Sequence, residues 1–370
     1  MIIGCTKEIK NNEFRVGLTP SNVSEYVKHG HRVLIEKDAG EGTSISDEEY
    51  KNAGAEIISN ADDVWQTAEM IVKVKEPLAE EYEKFREGQI LYTFLHLAAE
   101  KPLTEALVKK KVKAVAYETI TDNAGGFPLL KPMSDIAGRL SIQQGAKYLE
   151  KPFGGRGVLL SGIPGTQKGK VVIIGAGVVG LGAAKIAMGM GADVSILDVN
   201  LNRLTYLDDI YGSRIQTLYS SEGNIAEELK TADVVIGGVY IAGAAAPKLI
   251  KKEHLKTMKK GSVIVDVAID QGGCAETSRV TYHSDPIYIE DGVVHYCVAN
   301  MPGAVPRTST YGLTNSTLKD GLAIANKGLE KALRDNHHLM EGLNTYMGHV
   351  TYKAVADEFG LEYKKFEDLA

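Results

Sequence analysis

The chain has 370 residues, of which 44% are hydrophobic and 24% are charged, and its formal net charge is −6 at pH 7. This length predicts about two domains with packed cores, and the acidic balance argues against a nucleic-acid-binding protein. The longest uncharged stretch, 171–184, is too short and too rich in glycine to cross a membrane. Three cysteines without metal-type spacing indicate inert thiols, no metal site and a reducing compartment, so we expect a cytoplasmic protein without a membrane partner.

The first 130 residues alternate predicted strands with predicted helices. Apolar runs predict strands at 2–5, 32–36, 57–58, 70–74, 90–92 and 114–116, and the intervening patterns predict helices at 20–29, 46–53 and 104–111. Ser46 and Glu49 have the spacing of a capping box at the start of the second helix. This alternation predicts an α/β domain.

Basic candidates stand at two places in this domain, one after the first strand and one along the strand predicted at 70–74. Arg15 lies in a polar loop after the first strand, and its planar guanidinium matches a carboxylate, although an isolated arginine is also typical of a surface. Lys73 and Lys75 alternate along the strand predicted at 70–74 and should share one face. They indicate either a site at the carboxyl end of a strand or an edge strand protected by charge.

A histidine follows the next strand. His96 stands in the otherwise apolar run 91–98. In such surroundings a histidine is often a core residue with its hydrogen bonds satisfied. Its ordinary pKa near 6.5 also makes it the natural proton-transfer group at neutral pH.

A predicted helix at 133–149 and a loop rich in glycine and proline, 152–165, lead to a dinucleotide motif. The β-branched run Val171–Ile174 predicts a buried strand, and 181–190 predicts a helix. Between them Gly175, Gly177 and Gly180 have the G-x-G-x-x-G spacing. These glycines permit the tight turn, the approach of the pyrophosphate to the backbone and the close packing of the helix on the strand.

An acidic residue completes the motif. Asp198 closes the next predicted strand, 192–197, about 20 residues after the glycines, where a carboxylate accepts hydrogen bonds from the ribose hydroxyls. It would repel a 2′-phosphate, which favours NAD over NADP. Arg203 is either a solvated helix residue or a group that accommodates such a phosphate.

The remainder of the chain predicts further strands at 234–237, 262–266 and 288–296, followed by helices at 315–336 and 346–359. Asp270 follows the strand at 262–266, where its loop should overhang the nicotinamide, whereas Asp266 is better interpreted as a turn aspartate. We predict two Rossmann-like α/β lobes. The NAD-binding lobe, 131–304, is inserted into a discontinuous substrate and catalytic lobe, 1–130 and 305–370.

Several long blocks resemble the alanine dehydrogenase family, which is related to the nucleotide-binding subunit of proton-translocating transhydrogenase. The resemblance runs over essentially the whole chain and is carried by the blocks 7–20, 72–77, 93–98, 175–180, 266–273 and 300–306. It implies NAD-dependent, reversible deamination of L-alanine to pyruvate and ammonium by a homohexamer.

The resemblance also assigns roles to single residues. It implies that Arg15 and Lys75 bind the substrate carboxylate, that His96 is the general acid/base and that Asp270 is its partner near the nicotinamide. Besides Gly175, Gly177, Gly180, Asp198 and Asp270, the positions implied to contact the cofactor are Ser134, Val178, Val179, Arg203, Ser220, Val239, Tyr240, Val267, Arg279, Val298, Asn300 and Met301.

Three alternatives stay open at this point. One is a related amino-acid dehydrogenase of the saccharopine or lysine type, which would need a larger pocket. Another is a soluble transhydrogenase subunit, which would exchange hydride between two nucleotides. The last is a non-catalytic protein on a dehydrogenase scaffold, since fold does not dictate function.

Overall fold

The chain forms two α/β units in the computed structural model, which describes residues 1–239 and 245–370. Unit 1 comprises Met1–Pro132 and Val305–Ala370, and unit 2 comprises Met133–Ala304. Each unit has its own sheet of mostly parallel strands flanked by helices. The predicted α/β class is confirmed. In the described part of the chain, no helix is both long enough and apolar enough to span a bilayer.

The elements of the first part of unit 1 follow the predicted alternation. They are β1 (Ile2–Cys5), α1 (Pro20–Lys28), β2 (Arg32–Glu36), α2 (Asp47–Asn52), β3 (Glu56–Ile58), α3 (Ala61–Thr67), β4 (Met70–Val72), β5 (Ile90–Thr93), α4 (Lys101–Lys109) and β6 (Lys113–Ala116). Ser46 caps α2 with Glu49 as the predicted capping box.

Unit 2 contains the next elements, and its first helix begins at the unit boundary. They are α5 (Lys131–Tyr148), β7 (Lys170–Ile174), α6 (Val178–Gly189), β8 (Asp193–Asp198), α7 (Leu201–Tyr211), β9 (Gln216–Tyr219), α8 (Glu222–Thr231), β10 (Val234–Gly237), β11 (Val263–Asp266), β12 (Ile287–Glu290) and β13 (Val293–Tyr296). The chain then completes unit 1 with α9 (Pro306–Lys327), α10 (Leu329–Asp335), α11 (His337–Met340), β14 (Leu343–Tyr346), β15 (His349–Val350) and α12 (Lys353–Phe359).

Both sheets have the doubly wound order of a Rossmann-like fold. The sheet of unit 1 runs β15-β14-β6-β5-β4-β1-β2-β3, in which β1 to β6 are parallel and β14 and β15 are antiparallel additions. The sheet of unit 2 runs β12-β13-β11-β10-β7-β8-β9 with β12 antiparallel. In each, the strand order reverses beside the first strand, next to β4 in unit 1 and next to β10 in unit 2. Ligands of such sheets bind at the carboxyl ends of the strands at this switch point.

The cores explain why these strands are apolar on both faces. Helices cover both sides of a parallel sheet, so its central strands are continuous runs of buried β-branched residues, as in β7 and β10. Unit 1 has a corresponding core that contains Trp65, the single tryptophan of the chain.

The helix predicted at 346–359 is wrong over its first part. Residues 343–350 instead form a hairpin in which Tyr346 pairs with His349 and Thr345 pairs with Val350. Its two turn residues, Met347 and Gly348, have φ of 47° and 93°. Two-residue hairpin turns favour positive φ at both positions, which Met-Gly signals more weakly than Asn-Gly does.

Other element boundaries also differ from the predictions. The helix predicted at 315–336 begins at Pro306, which occupies the first turn, and is divided by Gly328 at φ 78°. Helix α6 begins at Val178 rather than at residue 181. Strand β4 ends at Val72, so the two lysines lie beyond it, and β4 is an inner strand rather than the edge strand considered above.

The three cysteines should be unreactive in the folded protein. All three are buried and free, which agrees with the expectation of inert thiols. Burial raises the pKa of Cys5 to about 12 and that of Cys297 to about 11, and it raises the pKa of Cys274 as well. Because the thiolate is the nucleophile, dithionitrobenzoate at pH 8 should react slowly with the native protein and rapidly with all three thiols after denaturation. Fast reaction of a native thiol would contradict this burial.

Candidate active site

Arg15 lies buried in the polar loop that follows β1, with only 2% of its surface exposed. Its Nε donates to Glu13 Oε1 at 2.6 Å, and Nη2 donates to Glu13 Oε2 in a bidentate ion pair. The amide of Val16 donates to Thr310 Oγ1 on α9, which fixes the end of the loop. The guanidinium is therefore held in one orientation by a carboxylate of its own loop, and it is not a surface arginine.

The segment after β4 is fixed by a buried ion cluster. Lys73 is fully buried, with Nζ 3.2 Å from Glu8 Oε2 and 2.9 Å from Glu81 Oε1. Glu8 Oε1 in turn accepts hydrogen bonds from the amides of Val74 at 2.6 Å and Lys75 at 3.2 Å. The expectation that Lys73 and Lys75 share one face is wrong, because the strand ends before them. Lys73 supports the backbone, and the side chain of Lys75 points away from this cluster toward other partners.

Those partners are Glu76 and His96. Lys75 Nζ lies 3.5 Å from Glu76 Oε2 and 3.5 Å from His96 Nε2. Burial acts to raise the pKa of Glu76, but Lys75, a hydrogen bond from Lys10 and the proximity of His96 together hold that pKa below its ordinary value. Glu76 is therefore an anion that balances the local positive charge.

His96 follows β5 and is not a core residue, since its side chain is 42% exposed. Its backbone is left-handed, with φ 51° and ψ 36°. The ring stacks on Phe94 at a centroid distance of 5.9 Å. Glu118 Oε1 accepts a hydrogen bond of 2.5 Å from the His96 amide. One face of the imidazole is thus supported by protein, and a large part of the ring is open.

The sheet order brings these groups together. The loop of Arg15 follows β1, Lys75 follows β4 and His96 follows β5, and these three strands are neighbours in the sheet. Their carboxyl ends lie at the switch point between β1 and β4, where ligands of doubly wound sheets bind. Unit 1 therefore carries two cationic side chains and an imidazole around the end of its central strands.

In unit 2 the three motif glycines have the properties that a dinucleotide requires. Gly175 has φ 99°, and a Cβ on Gly180 would lie 1.8 Å from the carbonyl oxygen of Gly175. A Cβ on Gly177 would meet nothing within 4 Å, so open space lies beside the exposed backbone at the start of α6. This cradle fits a pyrophosphate approaching the amino end of the helix.

Asp198 at the end of β8 is oriented toward the glycine loop. Its Oδ2 accepts from the amide of Ala176 at 2.7 Å, and its Oδ1 accepts from the amide of Asn200 at 2.8 Å. The Nε of Arg203 donates to the carbonyl of Ala176 at 2.8 Å. Both charged residues therefore lie beside the loop where the ribose of a dinucleotide would bind.

Most of the other positions assigned to the cofactor lie at the same edge of this sheet. Ser220 follows β9 and donates its amide to the Asp198 carbonyl, and Val239 follows β10. Val267 and the exposed Asp270 lie in a short 3₁₀ helix after β11. Val178 and Val179 form the first turn of α6, and Val298, Asn300 and the buried Met301 follow β13.

Three assigned positions need separate description. Ser134 is half-buried in the first turn of α5, and Gly138 lets this helix pack against α6, because a Cβ there would lie 2.1 Å from the Val179 carbonyl. Arg279 is exposed, with its guanidinium 3.9 Å from the centroid of the Tyr288 ring. Tyr240 lies outside the described residues.

Asp266 has the structural role expected of it. Its Oδ2 accepts from the amides of Cys274 and Ala275 at 2.8 and 3.1 Å and from the hydroxyl of Ser278 at 2.5 Å. It fixes the loop that follows Asp270.

Sequence reasoning missed three supporting residues, which are Glu8, Glu13 and Glu118, and it placed Lys73 on the same face as Lys75 rather than in the buried ion cluster. Glu118 had a usable signal, since it follows β6 as His96 follows β5. Glu8 and Glu13 stand in the polar loop of Arg15, in which the arginine was the predicted functional residue.

Comparisons with known proteins show the family to which the chain is similar. The family model described as alanine dehydrogenase/PNT, N-terminal domain, matches residues 4–137, and the corresponding C-terminal domain model matches residues 141–353. The chain is 58% identical to an alanine dehydrogenase of Methanococcus maripaludis over 368 residues, 99% of each chain. It is also 58% identical to an alanine dehydrogenase of Bacillus subtilis over 364 residues, 98% of this chain and 96% of the relative.

Solved structures give the same result. A structure titled L-alanine dehydrogenase matches with a TM-score of 0.95 and 50% identity over the full length of both chains. A transhydrogenase from Sinorhizobium meliloti matches with a TM-score of 0.82 over 96% of this chain and 100% of its own, but at 24% identity it shows the fold alone.

Proposed function

The chain belongs to the alanine dehydrogenase/PNT family, and from this premise we propose that it is an NAD-dependent oxidoreductase that converts L-alanine and water reversibly to pyruvate and ammonium. The observation that carries the proposal is the grouping of Arg15, Lys75 and His96 at the switch point of unit 1. This grouping combines binding groups for a small carboxylate with a proton-transfer group. A subunit that only exchanges hydride between nucleotides has no need of such a pocket.

Unit 2 is proposed to bind the coenzyme, and unit 1 the substrate. The cradle at Gly177 and the carboxylate of Asp198 fit an NAD pyrophosphate and ribose. We propose NAD rather than NADP because Asp198 would repel a 2′-phosphate, and because Arg203 already donates to the carbonyl of Ala176. When bound, the nicotinamide supplies an acceptor for the hydride that leaves the alanine Cα.

The side chains of unit 1 are proposed to bind and orient the amino acid. Arg15, aligned by Glu13, and Lys75, fixed by the backbone contacts of Glu8, provide two cations for the substrate carboxylate. Such positioning aligns the Cα hydrogen and can supply several kcal/mol of the barrier.

His96 is proposed to transfer protons while the imine is hydrolysed at the carbon that bears the nitrogen. A base first accepts a proton from the alanine ammonium group, and loss of hydride from the neutral amine gives iminopyruvate as its cationic, protonated form. His96 then takes the proton of the water that adds to the imine carbon. The same group returns a proton to the departing ammonia as the carbinolamine collapses. Asp270 is proposed as its partner, orienting the water or stabilising the cationic imine.

We also propose that the enzyme is a homohexamer of the cytoplasm, as its family blocks imply. Light scattering of the purified protein measures the assembly directly. A monomer or dimer at micromolar concentration would contradict the hexamer.

Absorbance at 340 nm tests the reaction in both directions. We expect NADH to form from L-alanine and NAD⁺ and to disappear with pyruvate and ammonium, with much lower rates for NADP(H), L-serine and L-lysine. Faster turnover of L-lysine with 2-oxoglutarate than of L-alanine would indicate the saccharopine-type alternative. Hydride exchange between two nucleotides without an amino acid would indicate a transhydrogenase.

Replacing Arg15 tests the carboxylate site. Arg15→Lys keeps a charge beside the buried Glu13 but loses the planar fork, so the KM for pyruvate should rise by about 10- to 100-fold, the equivalent of about 1.5–3 kcal/mol. Arg32→Lys is the matched control, since Arg32 makes the same bidentate pair with Glu56 at an exposed site. An unchanged KM in Arg15→Lys would place the carboxylate elsewhere.

A further inference from the structure

The backbone of His96 has a conformation that is uncommon in residues other than glycine. Its φ of 51° and ψ of 36° are in the left-handed region, where residues other than glycine are uncommon. Such a conformation persists only when surrounding contacts impose it. The side chain is 42% exposed and its ring is stacked only on Phe94 among the aromatic rings that the structure describes, so packing of the ring does not by itself fix the backbone.

Glu118 provides the restraint. Its Oε1 accepts from the amide of Leu95 at 3.1 Å and from the amide of His96 at 2.5 Å, and its Oε2 lies 3.3 Å from the Leu95 amide. Two consecutive amides thus converge on one carboxylate at the residue where the chain turns. An ionised acceptor makes these hydrogen bonds stronger than neutral ones.

The sheet places this carboxylate beside the histidine. Strands β5 and β6 are parallel neighbours, with Thr93 opposite Ala116. His96 and Glu118 leave these strands at the same edge, and Glu118 lies in the short 3₁₀ helix Tyr117–Thr119. Its side chain is 16% exposed, and Oε1 also lies 3.9 Å from His96 Nδ1.

We propose that Glu118 is a positioning residue that sets the orientation of the His96 imidazole through the backbone. This inference rests on the proposed role of His96 in proton transfer. By accepting both amides, Glu118 keeps the turn at His96 closed, and the ring is then directed so that Nε2 lies 3.5 Å from Lys75 Nζ. Because Glu118 Oε1 accepts from both amides, we assign Glu118 a role in the reaction through the position of His96.

Substitution of Glu118 should lower kcat and leave KM nearly unchanged. Glu118→Ala removes both acceptors, and a displacement of the ring by about 1 Å can cost about 100-fold in rate. The KM for pyruvate should stay within about twofold, since the contacts of Arg15 and Lys75 are retained. Glu118→Gln should recover most of the loss, because its carbonyl oxygen can accept from both amides.

A double-mutant cycle separates this role from a merely structural one. If Glu118 acts through His96, the pair His96→Ala and Glu118→Ala should be no slower than His96→Ala alone. Glu105→Ala, at an exposed position of α4, is the matched control and should have wild-type kcat. NADH binding, followed by its fluorescence, should be unchanged in every variant.

Two results would overturn the inference. One is wild-type kcat in Glu118→Ala, and the other is a multiplicative loss in the double variant. Near-wild-type turnover of His96→Ala would instead remove His96 from the proposed mechanism, so the two failures are distinguishable. If Glu118→Ala does not fold, a kcat loss in Glu118→Gln as large as that of His96→Ala would count against the inference.

Discussion

Replacing His96 by alanine should lower kcat by about 10²- to 10⁴-fold, the usual contribution of a general acid/base. The imidazole lies beside Lys75 at the carboxyl end of the central strands, and no other histidine stands in the loops after β1, β4 and β5. Solvent water would have to replace it in the proton transfers. Absorbance at 340 nm measures kcat, and NADH fluorescence measures coenzyme binding, which should be retained.

The left-handed backbone at His96 determines the best control for this result. Asparagine tolerates that conformation better than alanine does, so His96→Asn separates the loss of the imidazole from a change of the turn. Both variants should be similarly slow. His29→Ala, which removes an exposed histidine at the end of α1, should be as active as wild type. Near-wild-type turnover of His96→Asn would exclude this imidazole from the reaction.

Local patterns made the coenzyme motif of unit 2 predictable. The strand, the three glycines, the helix and Asp198 lie within 30 residues. The structure agrees with the expected role of each glycine, because Gly175 has φ 99°, Gly177 lies beside open space and Gly180 packs tightly against the turn. By contrast, composition could not distinguish Arg15 or His96 from a surface or core residue, and the family resemblance had to supply their roles.

The residues that hold the site residues in place through contacts between distant parts of the sequence were not predictable from local patterns. Glu8 reaches the amides of Val74 and Lys75 only because β1 and β4 are neighbours, and Glu118 reaches His96 only because β5 and β6 are. Sequence separation hides such pairs until the strand order is known. The Met347–Gly348 hairpin was missed for a different reason, because a positive φ at methionine has no signal in residue type.

Replacing Lys73 by methionine should destabilise unit 1 strongly. Nζ of Lys73 forms ion pairs with both Glu8 and Glu81 in a buried cluster. Removing one partner of a buried ion pair costs about 3–5 kcal/mol, because the other charges are left uncompensated in the interior. Urea unfolding followed by the fluorescence of Trp65 measures this loss, since this tryptophan lies in the core of unit 1.

The loss of stability in Lys73→Met should also depend on pH. Burial raises the pKa of Glu8 even though Lys73 acts to lower it, so its pKa should rise further in Lys73→Met. A carboxyl whose pKa is higher in the folded chain stabilises the fold at low pH and loses that contribution as pH rises through the folded value. The variant should therefore be less impaired at pH 5 than at pH 8.

Two further variants test whether the missing charge causes the loss of stability in Lys73→Met. Lys28→Met breaks an exposed pair with Glu25 and should leave the free energy of unfolding nearly unchanged, because solvent screens such a pair. Combining Lys73→Met with Glu8→Gln and Glu81→Gln removes all three charges, so much of the lost stability should return and the added pH dependence should disappear. A deficit in Lys73→Met that is equal at pH 5 and pH 8 and survives in the triple variant would mean that packing, rather than charge, fixes the segment that carries Lys75.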